Sequence, residues 1–443
     1  MIPAQVLYNL LLTALAVPAL PIAGVALLVR PRYRLGLAQR FGFLPQDVLS
    51  RSNTQRPLWV HAPSVGEILA TRPFVQALKQ QFPSFPLLLS TLTPTAYVTA
   101  REKIPEADAV MYFPLDHPLI VNRVLRHIRP MAFFFSETEM WPNFLLALAQ
   151  HRTPTFLVSG RFSPRALERY RLMTPLFRPV FQSLTRCCMQ TSEDEQRILA
   201  AGAFEQRVIV TGNFKLDVVH ADNRQGDLML QEGGLADRPL LIGASTHPGE
   251  EMFLLRIAQR LRASIPNLLL LLAPRHPQRF SEVERLLQQQ GCRYMKRSRL
   301  RVDSKNAEIF LLDTLGELTS FFPAASVTFV GGSLIKGPGG HSVVEPALAG
   351  APVCFGPYTG NFSAIVEQLL QAGGGFILRT EEDGYQQLLP LLTDAQKSRE
   401  VGQRAYEVIR QGQGAVQRTM AVILEALSTE HAESSRVSPP LPS

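Results

Sequence analysis

At 443 residues, 46% hydrophobic and 19% charged, the chain exceeds one ordinary core, and two domains are expected. A formal net charge of +8 suits anionic lipid surfaces, nucleic acid or phosphorylated substrates without choosing among them. Four cysteines (Cys187, Cys188, Cys292, Cys354) lack C-x-x-C spacing, which fits a reducing cytosol, and nine histidines form no H-E-x-x-H, so no metal site is expected.

In chain order, Ile2 to Val29 carries no charged residue. Roughly 20 apolar residues suffice to cross a bilayer as a helix, although Pro18 and Pro21 each remove a backbone hydrogen bond. A cleaved signal peptide would want positive charge before the apolar run. Here Arg30, Arg32, Arg34 and Arg40 come after it, predicting a retained transmembrane anchor over residues 1–30 with the body on the cytoplasmic side.

LWVHA (Leu58–Ala62), PLLLSTLT, MAFFFSE (Met131–Glu137) and TPTFLVSG read as buried strands separated by helical stretches. That alternation predicts a parallel sheet over residues 31–220, with chemistry at the carboxyl ends of its strands. His61, Glu67, Glu137 and Glu139 fall there. A polar, turn-rich stretch, HADNRQGDLMLQEGGLADRP, suits a boundary. PLLIGAST, LLLLLAP, EIFLLDT, SVTFVGG and APVCFGP then predict a second such unit over residues 221–428, and residues 429–443 read as a disordered tail. The α/β fold expected is two Rossmann-like domains facing a cleft.

Within these elements, Glu67 opens a helix after the turn in HAPSVGE, as dipole decoration or as a carboxylate base. Glu137 and Glu139 follow three phenylalanines, where a charge is costly unless paired. Lys215, in TGNFKLD, is a cation suited to a phosphate or to developing negative charge. GASTHPGEE brings Ser245 and Thr246 to a strand end, and Arg275 suits a phosphate or a base carbonyl. The basic run RYMKRSRLR (Arg293, Lys296, Arg297, Arg299, Arg301) reads as a solvated loop edge, with no RNA-binding signature. Gly337, Gly339 and Gly340 expose backbone N–H groups beside a helix N-terminus, a ready-made phosphate site. Ser342 and Glu345 fit a capping box, but Glu345 as the N-cap puts Pro346 at the favoured first position, and that register is preferred. G-x-x-x-x-G-K-[ST], G-x-G-x-x-G and D-x-D are absent.

HAPSVGE, TPTAY, FPLDHP, SETEMWPN, SGRFS, TGNFKLD, ASTHPGEE, PRHPQRF, DTLGEL, FVGGSL, GGHSVVEP and FGPYTGNF, in that order, closely resemble the bacterial 3-deoxy-D-manno-octulosonate (Kdo) transferases. The likeness runs from about residue 30 to about residue 425. It implies a GT-B type, inverting glycosyltransferase moving Kdo from CMP-Kdo to the lipid A precursor (lipid IV-A) in lipopolysaccharide synthesis, at the cytoplasmic face of the inner membrane. No metal, no cofactor and no nucleic acid partner are implied. By the same resemblance Glu67 is the general base, and Glu137 and Lys215 stabilise the transition state. CMP contacts fall on Pro274 and Arg275, on Leu315, Gly316 and Glu317, and on Ser342, Val343, Val344 and Glu345. The sequence departs from the family's usual GGHNPLEP, with Ser342-Val343-Val344 replacing Asn-Pro-Leu; Pro63 and Leu315 replace the commoner valine and methionine. A GT-B enzyme using another nucleotide sugar on a membrane acceptor is the alternative. Neither the number of Kdo residues added, the lipid A variant nor the oligomeric state is legible.

Overall fold

A computed structural model describes residues 4–15, 34–137, 139–217, 225–299 and 306–436. The chain divides into two compact units, Met1–Asp217 with Gln413–Ser443, and Val218–Gly412. Among the described residues each unit holds a seven-stranded, all-parallel sheet.

The first sheet comprises β1 (Leu58–His61), β2 (Leu87–Thr91), β3 (Ala109–Tyr112), β4 (Ala132–Ser136), β5 (Thr155–Gly160), β6 (Arg186–Met189) and β7 (Val208–Val210). Its spatial order is β3-β2-β1-β4-β5-β6-β7. The order reverses between β1 and β4, where α/β sheets open a ligand crevice. Successive residues point to opposite faces, so Phe133 and Phe135 join Trp59 on one face while Phe134 joins Val60 and Phe156 on the other. All are fully buried, each contributing on the order of 2–3 kcal/mol. His61 lies within β1, fully buried, its Nδ1 3.1 Å from the Ser90 carbonyl. Burial pushes its ring down to about 3, so this neutral imidazole belongs to the core and not to a strand-end site.

The second sheet comprises β8 (Leu240–Thr246), β9 (Leu269–Pro274), β10 (Tyr294–Lys296), β11 (Ile309–Leu311), β12 (Val327–Val330), β13 (Val353–Phe355) and β14 (Gly375–Ile377), ordered β10-β11-β9-β8-β12-β13-β14. Its switch point lies between β8 and β12. The run expected to be a solvated loop edge instead supplies β10 and a charge network. Arg293 pairs with Glu308 at 2.6 Å, Lys296 with Glu284 at 2.8 Å, and Arg297 with Glu317 at 2.9 Å.

The chain's end differs from expectation. The second unit stops at Gly412 rather than at residue 428, because the helix Ala415–Arg436 packs Val416, Met420, Ile423 and Leu427 against the first sheet. The Asp217 carboxylate accepts the N–H groups of Gly414 (2.7 Å) and Val416 (2.6 Å) at its start. That helix also runs through the first part of the tail expected to be disordered; residues 437–443 lie outside the described residues.

No helix among the described residues is long and apolar enough to cross a membrane. Much of the predicted transmembrane span lies outside them, and its described part is a helix over residues 4–15, roughly 18 Å at 1.5 Å per residue. This helix turns its polar side to the body. Tyr8 donates to Asp116 at 3.1 Å, Gln5 to Asn143 at 3.2 Å, and Asn143 to Asn9 at 2.7 Å. Leu7, Leu10, Leu11 and Leu15 are exposed. An apolar outer face with a polar inner one is the reverse of an ordinary surface helix.

Candidate active site

The first cluster sits at the switch point of the first sheet. After β1 the chain turns through Pro63 and Ser64 into the helix Val65–Gln81, and Ser64 N–H donates to the Glu67 carboxylate at 2.7 Å. Glu67 therefore does cap its helix, in a reciprocal box with Ser64. Capping leaves its carboxyl beside that of Glu137, which follows β4 with φ +59. A non-glycine residue in that left-handed region costs free energy and is held there only by its surroundings. Lys215 Nζ donates to Glu137 Oε1 at 3.0 Å, both side chains about four-fifths buried (18% and 21% exposed). Lys215 is presented by a 3-10 turn (Phe214–Leu216) that Asn213 caps at 2.9 Å and that Phe214 anchors by stacking on Phe74.

The two carboxyl groups are driven apart. Burial, then the charge of Glu137, push Glu67 up to about 7. Burial would raise Glu137 as well, but the Lys215 ammonium, the hydrogen bond shared with Glu67 and the Arg161 guanidinium together hold it below its ordinary value. The shared proton thus resides on Glu67 and the charge on Glu137, the arrangement by which one site holds an acid–base group beside a fixed anion. Burial and Glu137 also raise Glu139.

The second cluster lies in the second unit, at the carboxyl ends of its strands. Pro274 ends β9, and Arg275, exposed, is fixed by its N–H to the Thr246 carbonyl at 3.0 Å. The Arg275 charge reaches His341, whose ring burial and that charge lower to about 4. Leu315 is exposed, Gly316 adopts φ +84, and the Glu317 carboxylate is engaged by Thr314 and Arg297. Gly337, Gly339 and Gly340 all take positive φ. Asn361 staples their loop, donating to the carbonyls of Pro338 (2.9 Å) and Gly340 (3.1 Å).

One expectation here is corrected. The helix after the glycines is Val344–Leu348, only five residues, so Glu345 lies inside it and Pro346 is not at its first position. The Ser342 hydroxyl instead donates to the Glu345 carboxylate while accepting Val344 N–H at 3.3 Å. Ser342 thus holds the Glu345 carboxylate within the first turn of the helix, and Glu345 does not cap it. The Val343 and Val344 side chains are in the core, 1% and 0% exposed, so any contact they make with a ligand is through their backbone groups.

Glu67, Glu137 and Lys215 are thus brought together, and Arg275 stands by the loop leading to Ser342 and Glu345. Arg161 was not singled out from sequence, although SGRFS holds it directly after β5. His247, Glu250 and Asn361 were also missed. Nothing local separates a buried glutamate at a helix start from one that only complements the dipole.

A family profile described as "3-Deoxy-D-manno-octulosonic-acid transferase (kdotransferase)" matches residues 36–218. The chain is 32% identical to the 3-deoxy-D-manno-octulosonic acid transferase of Haemophilus influenzae over 89% of this chain and 92% of the relative. It is 34% identical to that of Bordetella pertussis over 82% and 86%. Among solved structures, a putative UDP-N-acetylglucosamine 2-epimerase from Listeria monocytogenes superposes with a TM-score of 0.55 at 16% identity, covering 83% of this chain and 96% of its own, which speaks for the fold alone. With two parallel-sheet units of this topology and relatives matching along most of its length, the chain belongs to the 3-deoxy-D-manno-octulosonic acid transferases, a family of glycosyltransferases.

Proposed function

We propose that the protein transfers Kdo from CMP-Kdo to a lipid A precursor in lipopolysaccharide synthesis, with inversion at the anomeric carbon. The observation that carries the mechanism is the Glu67 carboxyl set beside a Glu137 that Lys215 pins at 3.0 Å. Ionised Glu67 takes the proton of the acceptor hydroxyl as that oxygen bonds to the anomeric carbon. On the opposite face the bond from that carbon to the CMP phosphate breaks, and its electron pair leaves with the phosphate. The Glu137 carboxylate faces the cationic character that builds on the sugar, and Lys215 keeps that carboxylate ionised. Arg275, with the backbone N–H groups of Gly337 and Gly339, receives the nucleotide phosphate; Leu315–Glu317 and Ser342–Glu345 line the rest of the CMP site. The chemistry calls on no metal or cofactor.

The acceptor is a lipid, and the exposed leucines of the helix over residues 4–15 support contact with the inner membrane on its cytoplasmic face. Calorimetric titration with CMP, UDP and GDP tests the donor. CMP is expected to bind at least tenfold more tightly than the other two, roughly 1.4 kcal/mol; binding of UDP alone would remove the CMP reading and favour another nucleotide sugar.

A further inference from the structure

The turn after β8, Thr246-His247-Pro248-Gly249-Glu250, carries two side chains that none of the chemistry above uses. Glu250 opens the helix Glu250–Arg262 and is fully buried. Its carboxylate accepts four backbone N–H groups: His247 and Gly332 on Oε2, both at 2.8 Å, and Ser333 (3.0 Å) and Leu334 (2.9 Å) on Oε1. A carboxylate so surrounded is solvated by protein dipoles in place of water. It fixes the root of the segment leaving β12. The fit is tight, because a Cβ on Gly331 would come within 2.7 Å of Glu250 Oε2 and 2.5 Å of the Ser245 carbonyl.

The same turn also reaches the far end of that segment. His247 Nε2 lies 2.8 Å from His341 Nε2, with the rings stacked at 5.1 Å and 18°. A nitrogen–nitrogen contact of that length requires one proton between the two rings, one imidazole donating and the other accepting. Between these two fixed points the chain closes on itself, Gly340 N–H donating to Gly332 C=O at 2.8 Å and His341 N–H to Gly331 C=O at 3.1 Å. The His341 ring packs on Gly332, where a Cβ would lie 3.0 Å from its Cδ2.

We infer that His247 and Glu250 are positioning residues for donor binding: they clamp the root and the head of the segment Gly331–His341, so that the N–H groups of Gly337 and Gly339 between them stand ready for a nucleotide phosphate. Charged and titratable groups facing His247 and His341 are Glu250 and Glu251 from the helix that follows His247, Arg279 and His276 from the segment after β9, and Arg275 beside His341. Glu251 and Arg279 are themselves a buried pair at 2.6 Å that also holds the Thr246 carbonyl, at 3.2 Å from Arg279, so the clamp stands on a fixed base.

This inference rests on the reading that the loop takes CMP, and the test separates the two. Full-length protein is titrated with CMP as wild type, His247→Phe, which keeps an aromatic ring but cannot share a proton, and His247→Gln, which can still hydrogen-bond His341. Glu250→Gln, with one oxygen acceptor lost, serves as a second probe if it folds. His247→Phe is expected to weaken CMP about tenfold, the scale of one net hydrogen bond, and to raise the donor KM with the acceptor KM and melting temperature unchanged. His247→Gln is expected to recover most of that affinity. If wild type binds CMP and His247→Phe binds it equally, or if the acceptor KM and melting temperature shift along with it, or if His247→Gln fails to rescue, the clamp is overturned. A wild type that binds no CMP overturns the donor reading itself.

Discussion

Glu67→Ala is expected to abolish sugar transfer while leaving CMP affinity within about tenfold of wild type, roughly 1.4 kcal/mol. The separation follows from where the residue sits. Glu67 lies in the first unit, with Ser64 and Glu137 as its contacts, whereas the residues assigned to CMP lie in the second. Alanine also removes half of the capping box, a loss of about 1 kcal/mol, so Glu67→Gln is the cleaner companion, since glutamine can still accept Ser64 N–H. The pH dependence carries the same signature. With the carboxyl raised to about 7, the base form is lost as pH falls, and kcat should drop about tenfold per unit below that point. Stability runs the other way. A carboxyl raised in the folded state contributes stability fully at low pH and loses it as pH rises through about 7. Glu67→Gln should therefore melt higher than wild type at pH 8 while transferring nothing. Substantial transfer by either variant would mean that the base is elsewhere.

Lys215→Met should lower kcat by about 10²–10³-fold, the range for loss of one preorganised electrostatic group. Methionine keeps the length and apolar stem of lysine, so the change isolates the charge. Without the ammonium at 3.0 Å, Glu137 is left as a largely buried carboxylate, and the protein should also lose stability. Adding Glu137→Gln removes that stranded charge. The double variant should recover melting temperature toward wild type and recover no activity. Recovery of both would make the pair a structural ion pair and nothing more.

The frame of this fold could be read from its apolar runs. Phe133-Phe134-Phe135 and Leu268–Leu272 are strands buried on both faces, and such runs announce parallel sheets. Short or half-buried strands were not legible: β10 (Tyr294–Lys296) lies inside a basic run, and β14 (Gly375–Ile377) has only three residues. The return of Ala415–Arg436 to the first sheet depends on distant partners such as Asp217 and Thr211, which no local pattern reveals. In the site, the place of Glu67 at the start of its helix was legible from HAPSVGE, but its role as base was implied only by the family resemblance, since the dipole alone also accounts for an acid there. The positive φ of Glu137 and the partners of Glu250 depend on tertiary packing. The register preferred for Glu345 was wrong for a similar reason, since Ser342 takes up its carboxylate.

The most direct test is mass spectrometry of a lipid A precursor incubated with CMP-Kdo and the purified protein. The account predicts acceptor masses raised by one or more Kdo residues, with no such species when Glu67→Ala replaces wild type. An unmodified acceptor with CMP-Kdo, or glycosylation only when another nucleotide sugar is supplied, would contradict it.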